Sequence, residues 1–201
     1  MSSEEFTLGH DSGVLFLTLT SPDDTNCLTR KKVETLTQEI ENMRSGEGPV
    51  LPLIISGQPT FSFGAELREI KALTAVDSYE FARMGQTLMQ LIADFPVPIY
   101  AAIEGYCMGG GLDLALACHY RIACPNAVFG HRGAALGLMT GWGGTQRLPR
   151  LVGKARALEM LVTADKISAL QAWKIGLVDA IAEDPVEEAR ILIAKREMLK
   201  P

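Results

Sequence analysis

The stretch IYAAIEGYCMGGGLDLALA, residues 99–117, joins an apolar segment to a glycine-rich turn and then to a helix-forming segment. Its first part, Ile99 to Glu104, is typical of a buried strand. In the turn from Gly105 to Gly111, the adjacent glycines 109–111 let the backbone bend sharply and let a ligand approach closely. The helix predicted from about Leu112 presents free N–H groups and its positive dipole end there. Two interpretations fit: an oxyanion-binding turn, or a tight turn against a neighbouring helix without a ligand.

Outward from this stretch, strands and helices alternate with short connections. The predicted strands are Gly13 to Thr20, Val50 to Ser56, Ile99 to Glu104, Tyr120 to Cys124 and Ala127 to Gly130. The predicted helices are Arg30 to Met43, Glu66 to Leu73, one opened by a capping box at Asp77 to Glu80 and stopped by Pro96, one beginning near Leu112, Lys154 to Ala164, Ser168 to Gly176 with a capping box, and Pro185 to Lys200. Gly141 to Gly144 is predicted as a loop. This order indicates an α/β domain with helices packed outside sheets.

Length and charge exclude several classes of protein. The chain has 201 residues, a net charge of −5 and no basic block, so a nucleic-acid surface is not expected. No apolar run approaches about 18 residues, so no membrane span is expected. The acidic start, Met1 to Glu5, lacks the features of a signal peptide. The four cysteines have no C-x-x-C spacing and are interpreted as reduced, packed thiols of a cytoplasmic protein without a metal site.

Four motifs in chain order carry a family resemblance. Phe61 to Leu67 follows the pattern F-x-x-G-A-[DE]-[IL], and Ile103 to Gly111 follows I-x-G-Y-x-x-G-G-G. The other two are G-W-G-G-T-Q-R-L at Gly141 to Leu148 and the segment from Ile167 to Val178. Together they resemble the enoyl-CoA hydratase/isomerase (crotonase) superfamily. The resemblance runs from about Phe6 to Ile181, nearly the whole chain.

The resemblance implies a fold and a partner. The fold is an α/β, crotonase-type spiral of ββα units with flanking helices and a shortened C-terminal helical region. Residues 1–182 would form the acyl-CoA-binding core and residues 183–201 a short C-terminal helix. Such proteins usually assemble as trimers or hexamers, so a homo-oligomer is expected. The substrate would be an acyl-CoA, with coenzyme A as part of the substrate and no separate cofactor.

The resemblance also implies an oxyanion hole. The backbone N–H groups of Ala65 and Gly110 would hold the thioester carbonyl oxygen and stabilise an enolate, where preorganised donors act most strongly. Trp142 is interpreted as a pocket wall or an oligomer contact, with a plain core position as the alternative. Many relatives carry a basic residue just before Asn26, whereas this chain has Asp24-Thr25. The residues assigned to substrate binding are Asn26, Phe63, Gly64, Leu67, Gly109, Arg132 and Trp142.

Acid/base chemistry departs from the family pattern. Hydratases of the family use two glutamates, the first of which matches Asp113 and the second Gly133. An Asp carboxylate reaches about 1.5 Å less far than that of Glu, and a misplacement of this order can cost about 100-fold in rate. Glycine has no proton to give. His131, beside Gly133, is a candidate substitute base because its unperturbed pKa lies near neutral pH.

Several alternatives therefore stay open. Asp113 either moves a proton or only stabilises a helix N-terminus. Arg132 either holds a substrate carboxylate, as a decarboxylase would require, or is solvated. His131 is either a base or simply hydrogen-bonded. A third possibility for the whole chain is an acyl-CoA-binding protein that lacks catalysis because Gly133 replaces the second glutamate.

Overall fold

The computed structural model describes residues 5–198 and contains two β-sheets. The larger sheet has six strands in the order β1-β2-β3-β4-β6-β9, and the smaller has three in the order β5-β7-β8. The strands are β1 (Phe6–Asp11), β2 (Val14–Leu19), β3 (Leu53–Gly57), β4 (Ile99–Ile103), β5 (Tyr106–Met108), β6 (Tyr120–Ala123), β7 (Val128–Gly130), β8 (Ile167–Ser168) and β9 (Ala180–Ile181). From β2 onward, each neighbouring pair in the larger sheet is parallel.

Helices connect the parallel strands, as crossover connections require. The α-helices of the described chain are α1 (Arg30–Ser45), α2 (Leu67–Ala72), α3 (Ala75–Ala93), α4 (Gly110–Ala117), α5 (Gly144–Val152), α6 (Lys154–Thr163), α7 (Ala169–Lys174) and α8 (Pro185–Met198), and Gly133–Leu136 forms a 3-10 turn. The predicted α/β class is confirmed by this mostly parallel sheet with its helices. No helix between residues 5 and 198 is both long and apolar enough to cross a bilayer.

The main core lies between the larger sheet and the helices α1, α3 and α4. The helical face predicted for α1 is buried there through Val33, Leu36 and Ile40. On the other face of the sheet, α8 places Ala189 and Ile193 in a second buried cluster that also holds Tyr100, Ile122 and Val14. Full burial of such an aliphatic side chain contributes about 1.5–3 kcal/mol. Both faces of the central strands are therefore covered, which agrees with their uninterrupted apolar sequence.

The structure corrects some local predictions. The predicted glycine turn contains a strand, β5, because Tyr106–Met108 pairs in parallel with β7. Helix α4 begins at Gly110 rather than near Leu112. The capping box predicted at Asp77 to Glu80 is wrong. Thr74 caps α3 instead, and its side chain and that of Asp77 satisfy each other's backbone N–H groups. The helix α5, which contains Pro149, and strand β1 were not predicted.

Two other predictions at helix ends are confirmed. Ser168 and Gln171 form the predicted capping box of α7, and α8 begins at Pro185. The predicted end of this last helix at Lys200 lies outside the described residues, as does the chain start up to Glu4. The division into a core of residues 1–182 and a helix of residues 183–201 stays a prediction.

Candidate active site

The loop after β3 runs beside strand β5 and so meets the start of α4. Ser62 donates its N–H to the Tyr106 carbonyl at 3.0 Å and accepts the Met108 N–H at 2.9 Å. The Ser62 hydroxyl donates to the Asn26 carbonyl and accepts the Gly64 N–H at 3.0 Å. These bonds fix the loop that leads to Ala65 against the turn that leads into α4.

Two backbone N–H groups converge between these loops. Leu28 donates to the Gly64 carbonyl at 2.8 Å and accepts the Glu66 N–H at 3.4 Å, which leaves the Ala65 N–H pointing the other way. Gly110 is the first residue of α4, where an N–H has no partner inside the helix. Within residues 5–198, neither the Ala65 nor the Gly110 N–H donates a hydrogen bond.

Glycines make this convergence possible. A Cβ on Gly64, whose φ is +94°, would lie 2.6 Å from the Gly110 nitrogen. A Cβ on Gly110 would lie 3.1 Å from the Ala65 nitrogen. The Ala65 and Gly110 nitrogens therefore lie close together, and a side chain at Gly64 or Gly110 would crowd one of them. The arrangement suits an oxygen atom that carries negative charge, because two unpaired donors and a helix N-terminus meet there.

A buried acid lies one helical turn beyond this space. Asp113 is 1% exposed and His131 is 2% exposed, and Oδ1 of Asp113 is 3.5 Å from Nε2 of His131. The Thr140 hydroxyl donates a hydrogen bond to the other carboxylate oxygen, Oδ2. Strand geometry explains the encounter, because α4 follows β5, His131 follows β7, and parallel neighbours end at the same edge of the sheet.

Asp113 and His131 can approach each other because Gly144, the first residue of α5, has no side chain. A Cβ there would overlap Oδ1 of Asp113 and would lie 2.8 Å from Nε2 of His131. Backbone N–H groups of Trp142 and Gly144 also face the carboxylate. The segment 140–144 therefore lies over the face of α4 that carries Asp113.

Burial shifts the pKa values of Asp113 and His131 in opposite directions. Desolvation raises the pKa of Asp113 to about 7, against the opposing hydrogen bond from Thr140 and the charge of Arg147. Desolvation also lowers the pKa of His131 to about 4. Between about pH 4 and about pH 7 the pair therefore holds a protonated carboxyl group and a neutral imidazole. Oδ1 of Asp113 and both imidazole nitrogens of His131 are buried without a hydrogen-bond partner in the described chain.

These shifts predict opposite pH dependences of stability in two single variants. In His131→Gln, Asp113 binds its proton in the folded state up to a pKa of about 7 but in the unfolded chain only to 3.8, so the free energy of unfolding should fall as pH rises between these values. In Asp113→Asn, His131 charges in the unfolded chain below 6.5 but in the folded state only near 4, so the free energy should rise with pH across that window. Each slope is at most about 1.4 kcal/mol per pH unit.

Urea unfolding from pH 4 to pH 7.5 measures both slopes. The double variant Asp113→Asn/His131→Gln is the reference, because subtracting its curve removes the titration of all other groups. In the wild-type protein the two effects oppose each other over their common window. If both single variants follow the reference curve, the pKa values of Asp113 and His131 are not shifted by folding.

The other predicted substrate residues occupy different positions. The Asn26 side chain is buried and donates to the Thr60 carbonyl, so its observed contact supports the loop. Phe63 is exposed beside Gly64, and its ring centroid lies 5.0 Å from that of Tyr106. Leu67 is exposed at the first turn of α2. Sequence reasoning had no signal for Tyr106 as a neighbour of Phe63, since only the pairing of the loop with β5 brings them together.

The segment after β7 packs against the end of α6 through Arg132. Arg132 donates to the Ala164 carbonyl at 2.9 Å, at the C-terminus of α6. Gly133 opens the 3-10 turn, and a Cβ there would lie 2.9 Å from the Leu138 carbonyl oxygen. Gly109 precedes α4 with φ +51° and donates to the Gly130 carbonyl. Between residues 5 and 198, no group of three or more His, Cys, Asp or Glu side chains is arranged to hold a metal ion.

The chain is similar to proteins of one known family. The sequence model of the family described as Enoyl-CoA hydratase/isomerase matches residues 9–201. The chain belongs to this family. The predicted membership of the crotonase superfamily is thereby confirmed. Within the family, the chain is 41% identical over 194 residues to the probable enoyl-CoA hydratase of Bacillus subtilis (strain 168). The aligned region covers 94% of this chain and 74% of that protein.

Two further members of the family support the assignment. The crotonyl-CoA hydratase of Syntrophomonas wolfei is 36% identical over 186 residues, covering 91% of this chain and 71% of that protein. The crystal structure of the enoyl-CoA hydratase from Bacillus anthracis superposes with a TM-score of 0.88 at 31% identity, covering 95% of this chain and 76% of that one. The crotonase fold of the chain is therefore established by both sequence and structure.

Proposed function

We propose that this chain is an enzyme of the enoyl-CoA hydratase/isomerase type that acts on acyl-CoA thioesters through an enolate. The observation that supports it is the pair of unpaired N–H groups of Ala65 and Gly110, which converge at the N-terminus of α4. The thioester oxygen would accept both bonds. Its charge grows as the enolate forms, so both bonds strengthen in the transition state, and one such donor is commonly worth about 2.7–4 kcal/mol. Coenzyme A is part of the substrate in this proposal.

Asp113 and His131 would move the protons in place of two glutamates. In hydration of a 2-enoyl thioester, the neutral imidazole takes a proton from water while the oxygen of that water bonds to C3. Electrons from the C2–C3 double bond move toward the thioester oxygen, and the Asp113 carboxyl group gives its proton to C2. The resulting imidazolium and carboxylate, 3.5 Å apart in the structure, restore the initial state by proton transfer. Double-bond migration would use the same groups without water.

A second candidate function is acyl-CoA binding without catalysis. The near-complete burial of both Asp113 and His131 favours it, as does the absence of a side chain at Gly133. The decarboxylase alternative finds less support, because the described contact of Arg132 is with the C-terminus of α6. In a decarboxylase the Ala65 and Gly110 donors would serve unchanged.

A panel of thioesters followed by mass spectrometry tests these functions in one experiment. Crotonyl-CoA should gain the mass of water, a 3-enoyl-CoA should convert to its 2-enoyl isomer, and a malonyl-type CoA should stay intact. Loss of CO₂ from the malonyl-type thioester would instead identify a decarboxylase. Calorimetric binding without turnover would identify the binding protein, and the absence of any acyl-CoA binding would contradict the whole proposal.

We also propose that the chain forms a homo-oligomer in the cytoplasm. Exposed apolar side chains in and just after the 3-10 turn and on α6, two elements that pack together, support an association surface. These side chains are Leu136, Met139, Leu158 and Val162. Light scattering of the purified chain tests the assembly, and a monomer mass at micromolar concentration would rule it out.

A further inference from the structure

Trp142 is a buried wedge between α3 and α4. Its side chain is 3% exposed, and its indole N–H donates to the Phe81 carbonyl in α3 at 3.1 Å. The ring centroid lies 5.2 Å from that of Phe81. The adjoining backbone is held as well, because Gln86 donates to the Gly141 carbonyl at 2.8 Å and Arg147 donates to that of Trp142 at 3.3 Å.

Two glycines receive the indole, one from each helix. A Cβ on Gly85 of α3 would overlap the five-membered part of the ring. A Cβ on Gly110 of α4 would lie 2.6 Å from Cζ3 and 2.8 Å from Cε3 of the six-membered part. The same virtual Cβ lies 3.1 Å from the Ala65 nitrogen. The outer edge of the indole therefore stands beside the space where the Ala65 and Gly110 N–H groups converge.

We infer that Trp142 is a specificity-determining residue that closes the acyl end of the site, so that the chain prefers thioesters with short acyl groups. This inference rests on the proposed function, since it takes the thioester oxygen to lie between Ala65 and Gly110. From there the acyl carbons must pass along the face of α4 toward Asp113, one turn further on. The segment 140–144 covers this face, and the indole takes the space next to the carbonyl. A longer chain must displace the ring, which is anchored on both helices.

Calorimetry with saturated straight-chain acyl-CoA thioesters, from acetyl to octanoyl, tests the inference without turnover. In the wild-type protein, affinity should stop rising beyond a few acyl carbons. In Trp142→Ala, each further methylene should strengthen binding by about four-fold, the value expected for a fully buried CH₂. In Trp142→Phe, which keeps an aromatic ring at this position, the dependence of affinity on chain length should lie between those two. This variant keeps the test informative if Trp142→Ala fails to fold. Trp173→Ala, at a tryptophan that is 51% exposed on α7, should follow the wild-type profile.

Fluorescence provides a second measurement on a protein that retains the wedge. Because the chain has two tryptophans, Trp173→Phe leaves Trp142 as the sole indole emitter. Acetyl-CoA should leave its emission at the wavelength of a buried indole, and octanoyl-CoA at saturating concentration should shift the emission to the red.

The outcomes separate the two proposals. Wild-type affinity that rises with chain length as steeply as that of Trp142→Ala would overturn the role of Trp142 and leave the proposed function standing. The absence of binding of every thioester to every folded variant would overturn the proposed function itself.

Discussion

Replacing Asp113 by Asn should lower kcat for the preferred enoyl thioester at least about 100-fold, while the protein stays folded. Positioned acid/base groups contribute about 10²–10⁴ to rate, and an amide can neither give nor take the proton. Asparagine has nearly the same shape, so the buried site and the contact with Thr140 can persist. Steady-state kinetics with circular dichroism as a folding check measures the effect. The change should appear in kcat more than in KM, because the proton moves only in the chemical step.

Two comparisons make this result specific. Asp94→Asn, at an exposed carboxylate at the end of α3, should leave kcat unchanged. His131→Gln should lower kcat as well, and the double variant should be no slower than the slower single variant, because groups that act as one unit lose their effect together. Unchanged rates in both single variants would remove the acid/base roles from this pair.

Replacing Gly64 by Ala should lower thioester turnover at least about 100-fold by separating the Ala65 and Gly110 N–H groups. The added Cβ would lie 2.6 Å from both the Gly110 nitrogen and the Met108 carbonyl oxygen, and backbone atoms cannot rotate away. Loss of one oxyanion donor alone lowers kcat about 10²–10³-fold. The residue also has φ +94°, which costs an L-residue about 1–2 kcal/mol. Urea unfolding and turnover should therefore both report a large loss.

Gly48→Ala separates these two causes. Gly48 has φ +116°, but a Cβ there meets nothing within 4 Å. This variant should lose only the free energy associated with the backbone angle and should keep full turnover. If Gly64→Ala were as active and as stable as Gly48→Ala, the loops would not hold the donors in the geometry described.

The family resemblance implied Ala65 and Gly110 as a pair of oxyanion donors, and this role stays a prediction. Ala65 and Gly110 lie in short motifs where glycines and a helix start meet, and the structure leaves their N–H groups unpaired together. The meeting of Asp113 with His131 is different. The sequence predicted each as a candidate but gave no distance between them. The sequence predicts residues 106–108 as part of a turn, so the parallel pairing of β5 with β7 that brings the two side chains together is seen only in the structure.

Other parts of the site follow only from tertiary contacts. Thr140 lies in a loop, and no periodicity or spacing indicates that its hydroxyl reaches Asp113. The sequence gives no sign that the Asn26 side chain is buried and donates to the Thr60 carbonyl, and its role in substrate binding stays a prediction. The start of α3 was misplaced because Thr74 to Asp77 and Asp77 to Glu80 both have capping-box spacing, and only the formed hydrogen bonds distinguish them.

The notch that Gly85 leaves in α3 links two distant positions of the sequence. Because the indole of Trp142 occupies the volume that any side chain at position 85 would need, these two positions cannot change size independently. A larger residue at 85 would require a smaller one at 142, so the pair should covary reciprocally among members of the family. Through such an exchange, the depth of the proposed acyl site would change while the Ala65 and Gly110 N–H groups and the buried Asp113 stay in place.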